Sequence, residues 1–208
     1  MIPHLLTSRA TIFFLAFLSF ACLLGTFYGL WSMHLFACLI LPPATALLAY
    51  VAWRTRGQPR SLRNPHTWIA EGALAGLIAA GAYDLYRLPF VLNGAPLFSV
   101  FPKFGALILD GRGPAWLIHL TGWTYHFSNG AALGIMFLCL AASVPARLIP
   151  AGAIAWALVV EAMLLITPYT QFFGLKLNGT FLFLTLSAHL VFGLTLGLWL
   201  RQRITNAP

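Results

Sequence analysis

The chain has 208 residues, 60% of them apolar and only 8% charged, with a mean hydropathy of +0.86. Soluble domains carry about 25% charged residues, so there is too little polar surface here to coat a water-soluble globule. Lys and Arg number 12 against four acids, but they sit between apolar runs, which reads as membrane topology and excludes a nucleic-acid surface as their purpose.

At about 20 residues per crossing, the apolar runs predict an all-α polytopic membrane protein, a single domain over 1–208 with about six transmembrane helices and short loops. The first run, 10–31, follows Arg9. It is longer than a signal-peptide core and no small-residue cleavage site follows, so the reading keeps it as a helix. The second, 33–53, contains Pro42 and Pro43, which remove two backbone donors and predict a kink near its middle. Arg54, Arg56, Arg60 and Arg63 form a basic connection, and Asn64 and Pro65 precede the third run, 68–88, where Glu71 is placed to cap the N-terminus. Residues 89–113 are rich in Pro and Gly yet carry Phe98, Phe101, Phe104 and Leu107. Too short to cross and too apolar to float, this stretch is expected as an interfacial or re-entrant outer segment. The fourth run, 114–142, opens on a proline suited to a first helical turn. The fifth, 151–167, stops before Pro168, and the sixth, 179–200, ends at Arg201 and Arg203.

Arg9, the arginine loop, Arg147, Arg201 and Arg203 then share one side, while Arg87, Lys103, Arg112 and Lys176 share the other. The positive-inside rule puts both termini in the cytoplasm, and the expected location is a bacterial cytoplasmic membrane. Trp31, Trp53, Trp68, Trp116 and Trp199 fall near span ends as an aromatic belt. Cys22, Cys38 and Cys139 lie inside apolar runs without metal or redox spacing and are expected as buried core.

Inside lipid an ionisable side chain costs about 2.5 to 3.5 kcal/mol by insertion scales, so each needs a partner or a wet cavity. Asp84 and Arg87 sit in the last turns of the third run, His119 and His126 in the fourth, Glu161 in the fifth and His189 in the sixth, with His34 at the outer end of the second. At 1.5 Å per residue these lie from about 6 Å (Asp84) to about 18 Å (His126) below the outer ends of their helices. His119 and His126 are seven residues apart and point the same way, sharing a stripe with Gly122, Asn129 and Gly130. His189, Gly193 and Gly197, and Gly72 with Gly76, form further polar or small faces that allow close helix contact.

The sequence thus predicts one outward-facing pocket partly covered by 89–113. Glu161, His126 and Asp84 are the candidate catalytic groups, His119, Arg87, Asn129 and Tyr125 the ligand-binding ones, and His119, His126 and His189 the candidate metal ligands. Asp84 and Arg87, at i and i+3, are spaced for a local ion pair. Glu161 has no basic neighbour on its own helix and needs a partner across helices, with His119, His126 and Arg87 the candidates. Haem b between facing imidazoles, or a transition metal on His, Glu and Asp, would make a membrane enzyme or quinone-reactive redox subunit. A proton-coupled transporter or channel would use the same groups as relays. A structural anchor for partner membrane subunits, or a homo-oligomer, needs none of them. The partners implied are the bilayer and a small-molecule ligand or quinone, not nucleic acid. Phosphate-loop, nucleophile-elbow and HExxH patterns are absent.

Overall fold

The computed structural model describes residues 5–57 and 64–205, and among them every regular element is helical. Arg60 and Arg63 of the basic connection lie outside the described residues. Helix α1 spans Arg9–Phe27, α2 Met33–Leu39, α3 Leu41–Thr55, α4 Pro65–Leu92, α5 Val100–Ile108, α6 Ala115–Ala141, α7 Ile149–Ile166, α8 Tyr169–Phe172 and α9 Gly179–Thr205. Among the described residues four stretches are long and apolar enough to cross a membrane: Arg9–Phe27, Met33–Thr55, Ala146–Ile166 and Gly179–Arg203. The remaining long helices, α4 at 28 residues and α6 at 27, fall outside that set because their polar side chains lower their apolarity.

Local sequence explains the ends. The Ser8 hydroxyl accepts from the Thr11 amide at 3.1 Å and starts α1. Phe27 closes that helix ahead of Gly29, which takes φ +66, a conformation open to glycine without a side-chain clash. The expected kink is a break at Ile40, after which Pro42 and Pro43 occupy the first turn of α3, where missing amides cost nothing. Asn64, not Glu71, caps α4: its side chain accepts from the His66 amide at 2.9 Å. Glu71 lies too far into the helix to reach the first-turn donors and sits 4.0 Å from Arg203 Nε on α9. Pro89 is tolerated inside the last turns of α4.

Helices α4 and α6 are the centre of the molecule, packed along each other, with α9, α7 and α1 around them and α5 laid on the first turns of α6. Glycine makes this closeness feasible. A Cβ on Gly76 would strike the Gly130 carbonyl, and one on Gly134 the Gly72 carbonyl. On α9, a Cβ at Gly193 would lie 2.7 Å from Ile154 Cα of α7. The same device seats α5, where Gly105 faces the Ile118 carbonyl and Gly122 faces the Phe101 carbonyl.

The segment between α4 and α6 is thus a cap with a helix in it, buried along its inner face and exposed along its outer one. Val100, Phe101 and Phe104 are buried against Cys22, Phe27, Tyr125 and Phe173. Cys22 and Cys139 are buried as expected, but Cys38 lies on the exposed face of α2, because the short helix covers only its other side. Trp53 and Trp116 are exposed, whereas Trp68 is core.

Candidate functional site

Four helices bring their polar side chains to one level because the glycine contacts hold them close. On α4, Asp84 and Arg87 are one turn apart and both buried, with Arg87 Nη1 3.5 Å from Asp84 Oδ1. Across the α4–α6 contact, His126 Nε2 stands 2.8 Å from Asp84 Oδ2. Across the α7–α9 contact, His189 Nδ1 stands 3.1 Å from Glu161 Oε2 and 2.9 Å from the Thr185 carbonyl. The Thr185 hydroxyl donates to Glu161 Oε1 at 2.8 Å. Glu161 is 2% exposed, so both carboxylate oxygens find their partners inside the protein.

Tyr83 joins the two halves. Its ring centroid is 6.1 Å from that of His126 and 5.0 Å from that of His189, edge to face in the second case. The Arg87 guanidinium lies 4.5 Å from the same ring and 5.0 Å from Phe98, a stacked cation between aromatic faces. Arg87 also donates through Nη2 to the Leu97 carbonyl, which ties the cap to α4. Lys103 donates to the Phe173 carbonyl at 2.6 Å, and His34 meets the Ile108 carbonyl at 2.6 Å, so α5 is also tied to the α8 segment and to α2.

These groups border a cavity of about 720 Å³, within the usual size of a small-ligand site. Its lining is stratified. Ser99, Lys103, Lys176, Asn178 and Thr180 lie at the α5 end; Arg87, Tyr83, His126, Asn129, Glu161, Thr185 and His189 make a polar belt. Ala80, Gly130, Leu133, Ala157 and Phe192 form an apolar floor. Along α9 the lining runs from Thr180 to Phe192, a depth of about 18 Å at 1.5 Å per residue. Tyr169 also lines the wall, and burial pushes its phenol above the ordinary range, leaving it a neutral donor.

The candidate residues divide accordingly. Asp84, Arg87, His126, Glu161 and His189 come together, and Asn129 lines the same cavity. Tyr125 does not line it: its hydroxyl donates to the Ser19 carbonyl at 2.8 Å, while Ser19 Oγ donates to Asn129 Oδ1 at 3.0 Å, fastening α6 to α1. His119 is exposed and outside the cavity, because the first turns of α6 overhang their neighbours, as exposed Trp116 and Leu120 also show. The near neighbours of Glu161 are Thr185 and His189, because α7 and α9 pack directly on each other, and of the candidates expected Arg87 acts on it through its charge. Tyr83 and Thr185 went unread in the sequence; being neutral, they carry no cost in lipid that would single them out.

The arrangement orients imidazoles. The contacts of His189 Nδ1 with a carboxylate and a carbonyl select the Nδ1–H tautomer and leave Nε2 as an acceptor. His126 presents Nε2 to Asp84 in the same manner. Among the described residues no group of three or more His, Cys, Asp and Glu side chains is placed to hold a metal ion. The haem expectation meets a similar obstacle: Tyr83 flanks both rings and His126 Nε2 is already taken by Asp84. These residues do not fit a bis-imidazole iron. No protein family, curated protein or solved structure matches the chain.

Proposed function

We propose that the chain is an integral membrane protein of six spans, both termini cytoplasmic, in a bacterial cytoplasmic membrane, whose outward-opening cavity binds a small ligand and exchanges a proton with it. The placement of α4 and α6 supports the two extra spans. They are the central helices, and Asp84 and Arg87 of α4 with His126 and Asn129 of α6 face protein and cavity, not lipid. Large apolar side chains such as Leu35, Leu39, Val159, Ile166 and Phe183 are exposed on the peripheral helices, a surface suited to acyl chains.

The observation that carries the chemical reading is the pair of histidine–carboxylate contacts, His126 with Asp84 and His189 with Glu161, on one cavity around one tyrosine. A charge count makes the pairs a proton store. One guanidinium, Arg87, faces two carboxylates, so a neutral buried cluster carries one further proton among the carboxyls and imidazoles. A ligand O–H or N–H set against His189 Nε2 passes its proton to that nitrogen, while the Nδ1–H stays held and the Glu161 carboxylate faces the resulting imidazolium. The return step restores the neutral ring, so acid and base roles need only this chain's side chains.

The test is mass spectrometry of the organic extract of protein purified in lipid nanodiscs, wild type against the His126→Gln, His189→Gln double variant. A molecule at near-stoichiometric occupancy in the wild type, reduced at least tenfold in the variant, is expected; identical extracts overturn the reading. Incubation of that molecule with proteoliposomes then sorts the remaining classes: uptake driven by a pH gradient and lost in Glu161→Gln marks a carrier, and conversion to a product marks an enzyme.

A further inference from the structure

The charged and polar side chains of the cavity lining are confined to its α5 end and belt, where apolar residues such as Leu97, Phe104 and Phe173 also line it. The floor carries no charged or polar side chain, and that restricts what can fill the cavity. We infer that its ligand is an amphiphile with an anionic oxygen headgroup, phosphate or carboxylate, bound head toward α5 and α8 with its apolar part on the floor. This inference deepens the proposed function and rests on the cavity described there.

Three observations lead to it. Cations exceed anions around the cavity: Lys103 and Lys176 line it in addition to Arg87, whose charge Asp84 and Glu161 already face. The Glu161 carboxylate is not open to a cationic guest, because Thr185 occupies one oxygen and His189 the other. Lys103 spends one donor on the Phe173 carbonyl and retains further N–H groups for an anion at the α5 end, whereas Arg87, in the belt, is engaged by Asp84 and the Leu97 carbonyl. Asn178 and Thr180 add neutral polar groups at the α5 end.

At the opposite end, Ala80, Gly130, Leu133, Ala157 and Phe192 provide neither donor nor acceptor side chains. A wholly polar guest would leave this floor unfilled or bury its own polar atoms without partners, at a cost of about 1–3 kcal/mol each. A wholly apolar guest would desolvate the belt of Arg87, His126 and Glu161 without replacing water. An amphiphile satisfies both ends, and its direction, head at the outer face and tail toward the midplane, is that of an outer-leaflet lipid. The belt then lies beside the junction of head and tail, where His189 Nε2 can meet an ionisable head.

Native mass spectrometry of the purified chain, released from a neutral detergent, tests this with dodecyl phosphate, dodecylamine, dodecanol and inorganic phosphate as probes. One dodecyl phosphate per chain is expected, with at least tenfold higher occupancy than dodecylamine and no retention of inorganic phosphate. Lys103→Gln with Lys176→Gln should reduce dodecyl phosphate about tenfold and leave dodecanol unchanged, which also shows the variant folded. Ala157→Leu, which narrows the floor, should lower both alkyl probes while thermal unfolding stays cooperative. Equal binding of dodecylamine, or inorganic phosphate bound as well as the alkyl ester, overturns the headgroup or the tail assignment respectively. Either failure leaves proton exchange at the histidines to the separate extract comparison, so the two readings fail on different measurements.

Discussion

The Glu161 carboxylate and the His189 imidazole meet at 3.1 Å across the α7–α9 contact, and the Thr185 hydroxyl donates to the other carboxylate oxygen at 2.8 Å. Glu161 thus accepts from the Thr185 hydroxyl and lies beside the His189 ring one turn further along α9. Amide and carboxylate differ little in shape, so Glu161→Gln should unfold within about 1 kcal/mol of the wild type. Glu161→Leu, which leaves the Thr185 hydroxyl without its acceptor, should cost about 1–3 kcal/mol. Thermal unfolding in detergent distinguishes them, and equal losses in the two variants would contradict the pairing.

Removing one member of a buried ion pair strands the other. Asp84→Ala removes the nearest carboxylate of the Arg87 guanidinium and leaves it on the Leu97 carbonyl and its aromatic neighbours, and a loss of about 3–5 kcal/mol is expected. Arg87→Met added to Asp84→Ala should recover part of this. A double-mutant cycle with a coupling of about 0.5–3 kcal/mol is the expected outcome, and strict additivity would show that the two do not share an environment.

The cap depends on a glycine. In Gly122→Val, the new side chain would enter the Phe101 carbonyl, so α5 must move off α6. Amide hydrogen exchange over Val100–Ile108 should rise by at least tenfold, with α7 and α9 unaffected; unchanged protection of α5 would refute the close contact.

Two histidines seven residues apart should behave differently. His119→Ala, at an exposed site, is expected within about 0.5 kcal/mol of the wild type and with its ligand intact. His126→Ala removes the partner of Asp84 and should both destabilise the chain and empty the cavity. Equal effects on ligand content, read by mass spectrometry of the extracts, would contradict the separation.

Much of the helical plan was legible because lipid-length apolar runs and proline positions report directly on backbone geometry. The i, i+3 spacing of Asp84 and Arg87 likewise implied their contact on its own. What one chain's spacing does not encode is which helix lies alongside. His119 and His126 share a stripe, but only the inner of the two is faced by α4, and that depends on where Gly72 and Gly76 meet Gly130 and Gly134. Glu161 clearly needed a partner across helices, yet choosing His189 required knowing that α7 and α9 are neighbours. Tyr83 lay beside Asp84 in the chain, and its position between two imidazoles followed only from packing.

The three ties of the cap share one form: Arg87, Lys103 and His34 each reach a main-chain carbonyl, at Leu97, Phe173 and Ile108. Every residue type offers that acceptor. Drift in sequence at positions 97, 108 and 173 would leave the fastenings intact, whereas exchange of any one basic side chain removes its fastening outright. In a set of relatives, the recognisable mark of this closure would therefore be three scattered basic positions whose counterparts vary only as packing requires, and a search for charge-compensating pairs would pass it by.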